Sequence, residues 1–240
     1  MQTSLLLNAR RNEEKISPEL RALLDSISTV RKMEIDSYLF HEGTDAQDIY
    51  IIKSGLVQIS KLTADGKEMI LRICRDNDII GELTLFSDNP KYLLSSKVLE
   101  PGEVFVVNKN QLEEKLMENS SLTFEFMKWT SNHMRKFQSK IRDLLLNGKK
   151  GALYSTLIRL SNSYGVDQED GVLIDLSMTN QELAKFCAAT RESVNRMLVE
   201  LRKLDVISID KSSRIFIKDM QYLRDKIGCE YCPIEICNIN

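Results

Sequence analysis

The amino-acid sequence predicts an α+β chain in which an all-β part, a long helix and a C-terminal part of short helices with a hairpin follow one another. Three observations carry this prediction. Short apolar runs of period two occupy residues 30–108, apolar residues three and four apart continue from about residue 121, and two adjacent helix starts precede a short hairpin. With 240 residues, the chain is long enough for two modest domains.

Composition limits the partners and the compartment of the protein. Its 33 Lys and Arg balance 35 Asp and Glu, so a nucleic-acid contact needs a local patch, and residues 149–219 hold eleven basic and ten acidic residues. No apolar run is long enough to cross a bilayer and no signal-peptide core begins the chain, which predicts a cytoplasmic protein without a membrane partner. Its five cysteines should then be reduced. No nucleophile with a partner base is visible, so we expect no enzyme.

Residues 1–29 are predicted as a polar tail followed by a helix. Ser17 is a capping residue, Pro18 suits the first helical position and Glu19 is an early acid. The apolar stripe of this helix consists of Leu20, Leu23, Leu24 and Ile27.

Residues 30–108 should form a small all-β domain. Turn residues separate its apolar runs, and half of the ten glycines of the chain lie here. Ala64, Asp65 and Gly66 give a hairpin signal. The β-rich runs are residues 48–52, 56–60, 69–73 and 103–107.

Residues 109–147 are predicted as a short helix and a long helix. Six residues of the long helix alternate spacings of three and four, which is the pattern of a seam between two helices. Leu122, Phe126 and Trp129 form a second apolar stripe that can face the β domain. Because one subunit does not easily cover both sides, we expect a parallel coiled coil between two subunits, with a core helix of one large domain as the alternative. The seam residues are Met127, Thr130, Met134, Phe137, Ile141 and Leu144.

Residues 148–220 are predicted as a winged helix-turn-helix. Gly148 and Gly151 break the long helix, and a helical pattern resumes up to Tyr164. Thr179 can cap a first helix with Glu182 reaching back to it. Thr190 can open a second helix, whose apolar stripe comprises Val194, Met197, Leu198, Leu201 and Leu204.

The opposite face of the second helix predicts DNA recognition. Its polar side chains lie near the helix start, from which they can reach base edges in a major groove. The hairpin that follows, over residues 206–218, favours this reading over an ordinary surface helix. The predicted base contacts are Arg191, Glu192, Asn195 and Arg196, and the predicted phosphate contacts are Thr179, Thr190, Lys211, Arg214 and Lys218.

The C-terminal part, residues 221–240, contains Cys229, Cys232 and Cys237. Three thiolates within one short loop suit an iron–sulfur cluster. Zinc is the sharpest competitor, although it needs a fourth Cys or His and the two histidines, His41 and His133, are distant in sequence. Disulfide chemistry is a third alternative. The spacing favours the cluster and leaves the other two open.

The order of these parts resembles the CRP/FNR superfamily of transcription regulators from about residue 30 to residue 220. Residues 42–43, 52–55 and 81–83 stand in the order of its cyclic-nucleotide-binding-like β-roll, which the long dimerisation helix and the winged helix-turn-helix then follow. The Arg-Ser or Arg-Thr pair that holds the phosphate in nucleotide binders is replaced here by Tyr92 and Leu93. Because the charge-assisted hydrogen bonds of that arginine are missing, we expect no cyclic nucleotide.

The resemblance also implies roles for the second helix. Arg191 and Arg196 would contact guanines and Glu192 would accept from a cytosine amino group, in a palindrome with TGTGA-like half-sites. Asn195 departs from the Ser or Gly of well-known relatives. Double-stranded DNA, a second copy of the chain and RNA polymerase are the implied partners.

The C-terminal cysteines make the chain similar to the Bacillus-type oxygen-responsive FNR. This resemblance implies one 4Fe-4S cluster per subunit on Cys229, Cys232 and Cys237, with Asp143 as the fourth ligand. A solvated helix charge is the alternative for Asp143. The implied function is a homodimeric activator of genes of anaerobic metabolism. The alternatives are a regulator of the same fold that senses another ligand or redox state, and a non-DNA regulatory module that binds a protein partner.

Overall fold

The computed structural model describes residues 16–63 and 66–239, which fall into two units divided between His133 and Met134. The predicted polar tail and two residues of the hairpin signal, Ala64 and Asp65, lie outside the described residues. No helix in the described part of the chain is long and apolar enough to cross a membrane.

The first unit contains a sheet of six antiparallel strands with helices before and after it. We call residues 28–108 the β-roll. The elements are α1 (Pro18–Ser26), β1 (Ser28–Met33), β2 (Tyr38–Phe40), β3 (Asp48–Leu62), β4 (Glu68–Cys74), β5 (Ile79–Ile80), a 3₁₀ turn (Glu82–Thr84), β6 (Ser95–Asn108) and α2 (Lys109–Glu118). The main strand order is β1-β6-β3-β4, and β2 pairs with β6 while β5 pairs with β3.

Two of the predicted β-rich runs belong to one bent strand, β3. Its register against β6 shifts on both sides of Gly55. Gly55 has a φ of +96°, and a Cβ there would lie 2.7 Å from the carbonyl oxygen of Glu100. A glycine therefore allows the backbone to bend and remain paired where the sequence suggested a turn.

Two apolar clusters stabilise the first unit. One fills the β-roll and includes Phe40, Tyr50 and Tyr92. The other packs Leu20 and Leu24 of α1 together with residues of α2 and of the long helix against the outside of β3. Phe126 and Trp129 are buried there, which confirms the predicted second stripe of the long helix.

The long helix α3 (Ser120–Tyr164) is interrupted at Gly148, whose φ of 57° and ψ of −166° are not helical. This confirms the predicted break. The remaining elements are β7 (Gly165–Gln168), β8 (Gly171–Ile174), α4 (Asn180–Phe186), α5 (Arg191–Lys203), β9 (Ile207–Ile209), β10 (Ile215–Ile217) and α6 (Met220–Lys226). The hairpin of β9 and β10 confirms the predicted wing.

The hairpin of β7 and β8 was not predicted. It joins the wing in a four-stranded antiparallel sheet of order β7-β8-β10-β9. Each of its strands has only four residues, too few for the alternation of apolar and polar residues to stand out in the sequence.

Candidate nucleic-acid interface and candidate metal centre

The two predicted helix caps of the helix-turn-helix are formed. The Thr179 hydroxyl accepts from the Glu182 backbone N–H at 3.2 Å, and the Glu182 carboxylate accepts from the Thr179 N–H at 2.7 Å. The Thr190 hydroxyl accepts from the Ser193 N–H at 3.2 Å. Both threonine hydroxyls also donate within these caps, to Glu182 and Ser193. A DNA phosphate would have to replace those acceptors, and the predicted phosphate contacts of Thr179 and Thr190 stay predictions.

The polar face of α5 is exposed, as the sequence predicts. Asn195 accepts a hydrogen bond of 3.1 Å from the Asn180 side chain on α4, which fixes the amide near the start of both helices. Leu204 was assigned to the apolar stripe, but α5 ends at Lys203 and Leu204 is 51% exposed. The exposed residues include Arg191, Glu192, Asn195 and Arg196, and the fully buried ones on the opposite side are Val194, Leu198 and Leu201.

The wing presents its cations in two different ways. Arg214 is held by two carboxylates, those of Asp210 at 2.9 Å and Asp175 at 3.1 Å, and the hydrogen bond to Asp210 raises its pKa. Lys218 pairs with Asp205 at 2.6 Å. Lys211 is exposed in the turn between β9 and β10. The charge of Arg214 is already compensated, and Lys211 is better placed for a phosphate.

The seam residues of α3 are incompletely covered within one chain. Met127, Met134 and Ile141 are 62%, 42% and 49% exposed, and Thr130, Phe137 and Leu144 are half-buried. Exposed apolar side chains at seam spacing are typical of a helix that packs on a second copy. The coiled coil between subunits stays a prediction.

The three C-terminal cysteines lie near one another in the segment after α6, residues 228–239, which we call the cysteine segment. Cys229 and Cys232 are half-buried, whereas Cys237 is 8% exposed. Burial raises the pKa of Cys237 to about 12, the nearby Arg159 guanidinium opposes this, and the Cys232 and Cys229 thiols add to it. All five cysteines of the chain are free thiols. Within the described residues, no three Cys, His, Asp or Glu side chains already converge as metal ligands.

The end of the cysteine segment packs on the part of α3 that follows Gly148. Asn162 donates to the Cys237 carbonyl at 2.6 Å, Arg159 donates to the Ile236 carbonyl at 3.1 Å, and the Ile239 N–H donates to the Ser163 hydroxyl at 3.0 Å. Ile236 and Ile239 are buried. The backbone around Cys237 is therefore held by side chains of α3, independently of the thiols.

Asp143 is buried in a polar network. One of its carboxylate oxygens accepts from the Ser155 hydroxyl at 2.5 Å and from Arg159 at 2.9 Å, and the other accepts from Arg142 at 3.0 Å. Burial alone would raise its pKa, but the hydrogen bonds from Ser155, Arg159 and Arg142 outweigh burial and lower it. Asp143 is 5% exposed, so the alternative of a solvated helix charge is wrong.

The donor set fits an iron–sulfur cluster with one ligand that is not a thiolate. The cysteine segment supplies three neighbouring thiols, and thiolates are the ligands that such clusters take. Asp143 is linked to the same segment through Arg159, which contacts both the carboxylate and the Ile236 carbonyl. Sequence reasoning missed Arg159 because it stands in an apolar helical run and carries no motif.

Of the two residues at the positions of the missing phosphate clamp, only Tyr92 lies inside the β-roll. The Tyr92 ring stacks on Phe40 with 3.9 Å between centroids, and its hydroxyl donates to the Asp48 carbonyl at 2.6 Å. Leu93 is 78% exposed. An aromatic pair thus occupies the predicted clamp position, while the absence of nucleotide binding stays a prediction.

A buried ion pair lies close to the turn of residues 81–83. Arg72 on β4 contacts the Glu82 carboxylate at 3.3 Å, and the His133 ring nitrogen Nδ1 is 3.7 Å from the same carboxylate. Burial raises the pKa of Glu82, although Arg72 opposes the shift. His133 is buried, and its ring packs against that of Trp129. Arg72 was not singled out because it lies within a β-rich run.

Cys74 and Cys187 are fully buried. The Cys187 thiol lies 3.6 Å from the Thr156 hydroxyl, and burial raises its pKa to about 12. A free cysteine this buried packs as a small apolar side chain.

Comparisons with known proteins match both halves of the chain. A model of the cyclic nucleotide-binding domain matches residues 30–119, and a model of the Crp-like helix-turn-helix domain matches residues 151–226. The chain is 65% identical, over 95% of its length and 96% of the relative, to the "Anaerobic regulatory protein" of Bacillus subtilis strain 168. It is 31% identical, over 84% of its length and 92% of the relative, to the "Lactate racemization regulatory protein" of Lactiplantibacillus plantarum.

Solved structures show the same fold at lower identity. The c-di-GMP responsive global regulator CLP of Xanthomonas campestris matches with a TM-score of 0.71 and 19% identity, over 84% of this chain and 99% of that one. A mutant of CooA from Carboxydothermus hydrogenoformans matches with a TM-score of 0.71 and 17% identity, over 90% of this chain and 93% of that one. These likenesses confirm the predicted order of β-roll, long helix and winged helix-turn-helix.

Proposed function

Because the chain belongs to the CRP/FNR family of transcription regulators, we propose that it is an oxygen-responsive activator whose DNA binding depends on a 4Fe-4S cluster, one per subunit. The coarser part of this function, a DNA-binding regulator of the anaerobic response, follows from the helix-turn-helix match and from the relative in Bacillus subtilis. Both relatives described above are regulatory proteins, and we propose no enzymatic activity for this chain. A protein that binds the bacterial chromosome works in the cytoplasm.

One observation carries the cluster proposal. Three neighbouring thiols lie on a segment whose backbone is held against α3, within reach of the network that contains the buried Asp143. Cys229, Cys232 and Cys237 would hold the cluster, and Asp143 would be its fourth ligand. When bound, the cluster supplies an oxygen-labile centre.

The protein side of the switch is a restraint on α3. Asp143 lies before the break at Gly148, whereas Arg159 and Asn162, which hold the cysteine segment, lie after it. Joining Asp143 and the thiols at one centre would restrain the helix on both sides of Gly148. Such a restraint would favour one placement of α5. Loss of the centre would remove the restraint.

On DNA, α5 would read the half-site and the wing would contact the backbone. Arg191 and Arg196 can present paired donors to guanine, and Glu192 can accept from the amino group of cytosine. Two copies joined along α3 would place two α5 helices on half-sites about one helical turn apart. We propose a palindrome of TGTGA-like half-sites, with RNA polymerase as a further partner of the DNA-bound dimer.

The test is purification under argon, followed by iron and sulfide analysis and DNA titration. We expect a brown protein with about four iron and four sulfide per chain. It should bind a fluorescent TGTGA palindrome at least about a thousandfold more tightly than a scrambled duplex, the lower end of the range for specific binding over non-specific binding. Brief exposure to air should remove both the colour and the preference. A colourless protein with stoichiometric zinc overturns the cluster, and equal affinity for both duplexes overturns the DNA site.

Two variants test the placement of α5 and the wing. Glu192→Ala should relax discrimination at one base pair by about 1–3 kcal/mol, because a base-edge contact is lost. Lys211→Ala should weaken all duplexes alike and reduce the salt slope by about one. A binding array over single-base variants of the site measures both. A uniform loss of affinity in Glu192→Ala, with preferences unchanged, contradicts the placement.

Asp143 needs its own variant. Asp143→Ala would also leave Arg159 buried without its carboxylate, so loss of function would not identify a ligand. Asp143→Cys offers a stronger iron ligand at the same position. We expect Asp143→Cys to assemble a cluster under argon that loses iron more slowly than wild type does. If Asp143→Cys and wild type lose iron at the same rate, Asp143 is not a ligand.

A further inference from the structure

Arg159 is almost completely buried and uses all three nitrogens of its guanidinium. Nε donates to the Ser155 hydroxyl at 3.2 Å, and one terminal nitrogen donates to the Ile236 carbonyl at 3.1 Å. The other terminal nitrogen donates to Asp143 at 2.9 Å and to the Ser139 hydroxyl at 2.8 Å. Its exposed fraction is 2%. A charge so buried persists only where it is paired and hydrogen-bonded.

These contacts join parts of the chain that are far apart in sequence. Asp143 and Ser139 precede the break in α3, Arg159 follows it, and Ile236 is 77 residues away, directly before Cys237. Asn162, one turn beyond Arg159, holds the next carbonyl, that of Cys237, at 2.6 Å. Two side chains of one helical turn therefore hold both the backbone at Cys237 and the carboxylate of Asp143.

We propose that Arg159 and Asn162 are positioning residues of the iron–sulfur site, which hold Cys237 and Asp143 in place before iron is bound. This inference rests on the proposed function. The contacts that hold the backbone at Cys237 are made by protein atoms alone. Preorganised ligands reduce the ordering cost of binding, which is the role that such supporting residues have at metal sites.

Arginine suits this position for two reasons. Its planar fork can donate to a carboxylate and to a backbone carbonyl at once, which a single ammonium group cannot do in the same geometry. Three thiolates and a carboxylate also bring negative charge together in a largely buried place, and a fixed cation reduces their mutual repulsion. Arg159→Lys therefore keeps the positive charge and removes the planar set of donors. Asn162→Leu removes the hydrogen bond to the Cys237 carbonyl and leaves the ion pair of Arg159 and Asp143 in place.

The first experiment measures alkylation of each cysteine in the metal-free protein by peptide mass spectrometry. In wild type, Cys237 should react about tenfold more slowly than Cys229, because its carbonyl contacts must open first. Asn162→Leu should raise the alkylation rate of Cys237 about fivefold, and Arg159→Lys should raise it about tenfold. These values are expected for the loss of one neutral and one charged hydrogen bond. Arg135→Gln, an exposed arginine of α3, is the control and should change nothing.

Cys187 is the internal reference against a merely structural effect. It is buried in the same unit, so general loosening of the fold would accelerate Cys187 together with Cys237. We expect only Cys237 to change. Parallel acceleration of both thiols, or an unchanged Cys237 in both variants, overturns the inference. If circular dichroism shows that Arg159→Lys does not fold, the alkylation rates of Cys237 and Cys187 in Asn162→Leu decide the question.

The second experiment measures how fast iron passes to a chelator under argon after reconstitution with iron and sulfide. Arg159→Lys and Asn162→Leu should lose iron about tenfold faster than wild type and Arg135→Gln, the scale typical of mutations in supporting residues at metal sites. Equal rates in all four proteins overturn the positioning role. A wild-type protein that takes up no iron instead overturns the proposed function, while the alkylation rates still decide whether the two side chains hold Cys237.

Discussion

The two units of the protein each bury an arginine–carboxylate pair, and the two pairs have different surroundings. In the β-roll, Arg72 meets Glu82 beside a ring of His133, in an interior where an aromatic stack occupies the clamp position. In the other unit, Arg159 meets Asp143 and also holds the carbonyl next to Cys237. The first pair is enclosed among fixed side chains, whereas the second is attached to a segment that carries thiols.

The carboxylate pKa values reflect this difference. Burial dominates at Glu82 and raises its pKa despite Arg72. At Asp143, hydrogen bonds from Ser155, Arg159 and Arg142 outweigh burial and lower the pKa. A carboxylate that accepts several hydrogen bonds stays ionised. The two pairs therefore differ in the number of donors around the carboxylate, and the predictions below test whether they also differ in role.

The largest expected effect is that of Cys232→Ser. It should abolish cluster assembly and, with it, specific DNA binding, because one of the proposed thiolate ligands is lost. The free energy of unfolding of the metal-free protein should change by less than about 0.5 kcal/mol, since Cys232 is only half-buried. Iron analysis measures the cluster content, fluorescence anisotropy measures DNA affinity, and urea unfolding measures the free energy of unfolding. Cys74→Ser in the β-roll is the reciprocal control, which should lower stability and keep the cluster. A Cys232→Ser protein that retains iron would contradict the assignment of Cys232 to the cluster and of Cys74 to the packed interior.

The next largest effect is expected for Glu82→Ala. It removes the carboxylate from a buried guanidinium and should lower the free energy of unfolding by about 3–5 kcal/mol, as breaking a buried pair does. Urea unfolding monitored by circular dichroism is the measurement. Glu103→Ala breaks the exposed pair with Lys53 and should leave the urea midpoint unchanged. If both variants unfold at the same urea concentration, the β-roll pair is not a stabilising element.

A third prediction concerns the buried Cys187 thiol. Burial raises the pKa of Cys187 to about 12, so its thiol stays protonated at pH 8 and only a small fraction is the reactive thiolate. Its alkylation rate should rise about tenfold per pH unit between pH 7 and pH 10 without levelling, because thiolate grows in proportion to hydroxide below the pKa. Mass spectrometry of quenched samples gives the rate. A plateau below pH 10 would show a lower pKa, and urea-unfolded protein provides the unprotected control.

The smallest expected effect is no effect at all. Calorimetry with cAMP or cGMP at high micromolar concentration should show no heat, because Tyr92 packs on Phe40 where a phosphate clamp would stand. Saturable heat, together with a rise in DNA affinity, would restore the β-roll as a ligand sensor and remove the contrast between the two units.

Local sequence signals predicted most of the fold. The caps at Thr179 and Thr190, the break at Gly148 and the stripe of Phe126 and Trp129 are confirmed, because each depends on residues within a few positions of one another. The hairpin of β7 and β8 was missed because its strands are too short to show a period.

The candidate site was predicted only in part. The cysteine spacing and the exposed face of α5 can be read directly from the sequence. The partners of Arg159 lie 16 and 77 residues away, and those of Arg72 include a carboxylate on a different turn, so no local pattern could pair them. Asp143 was proposed from resemblance alone, and its burial among Ser155, Arg142 and Arg159 could be seen only once the helix was folded.

The single tryptophan of the chain gives the β-roll unit a spectroscopic signal of its own. Trp129 is buried and its ring lies 3.9 Å from that of His133. Emission at tryptophan wavelengths therefore originates in the unit without the cysteine segment. If this emission is recorded during air exposure, it reports without a label whether a change at the thiols also alters the surroundings of Trp129.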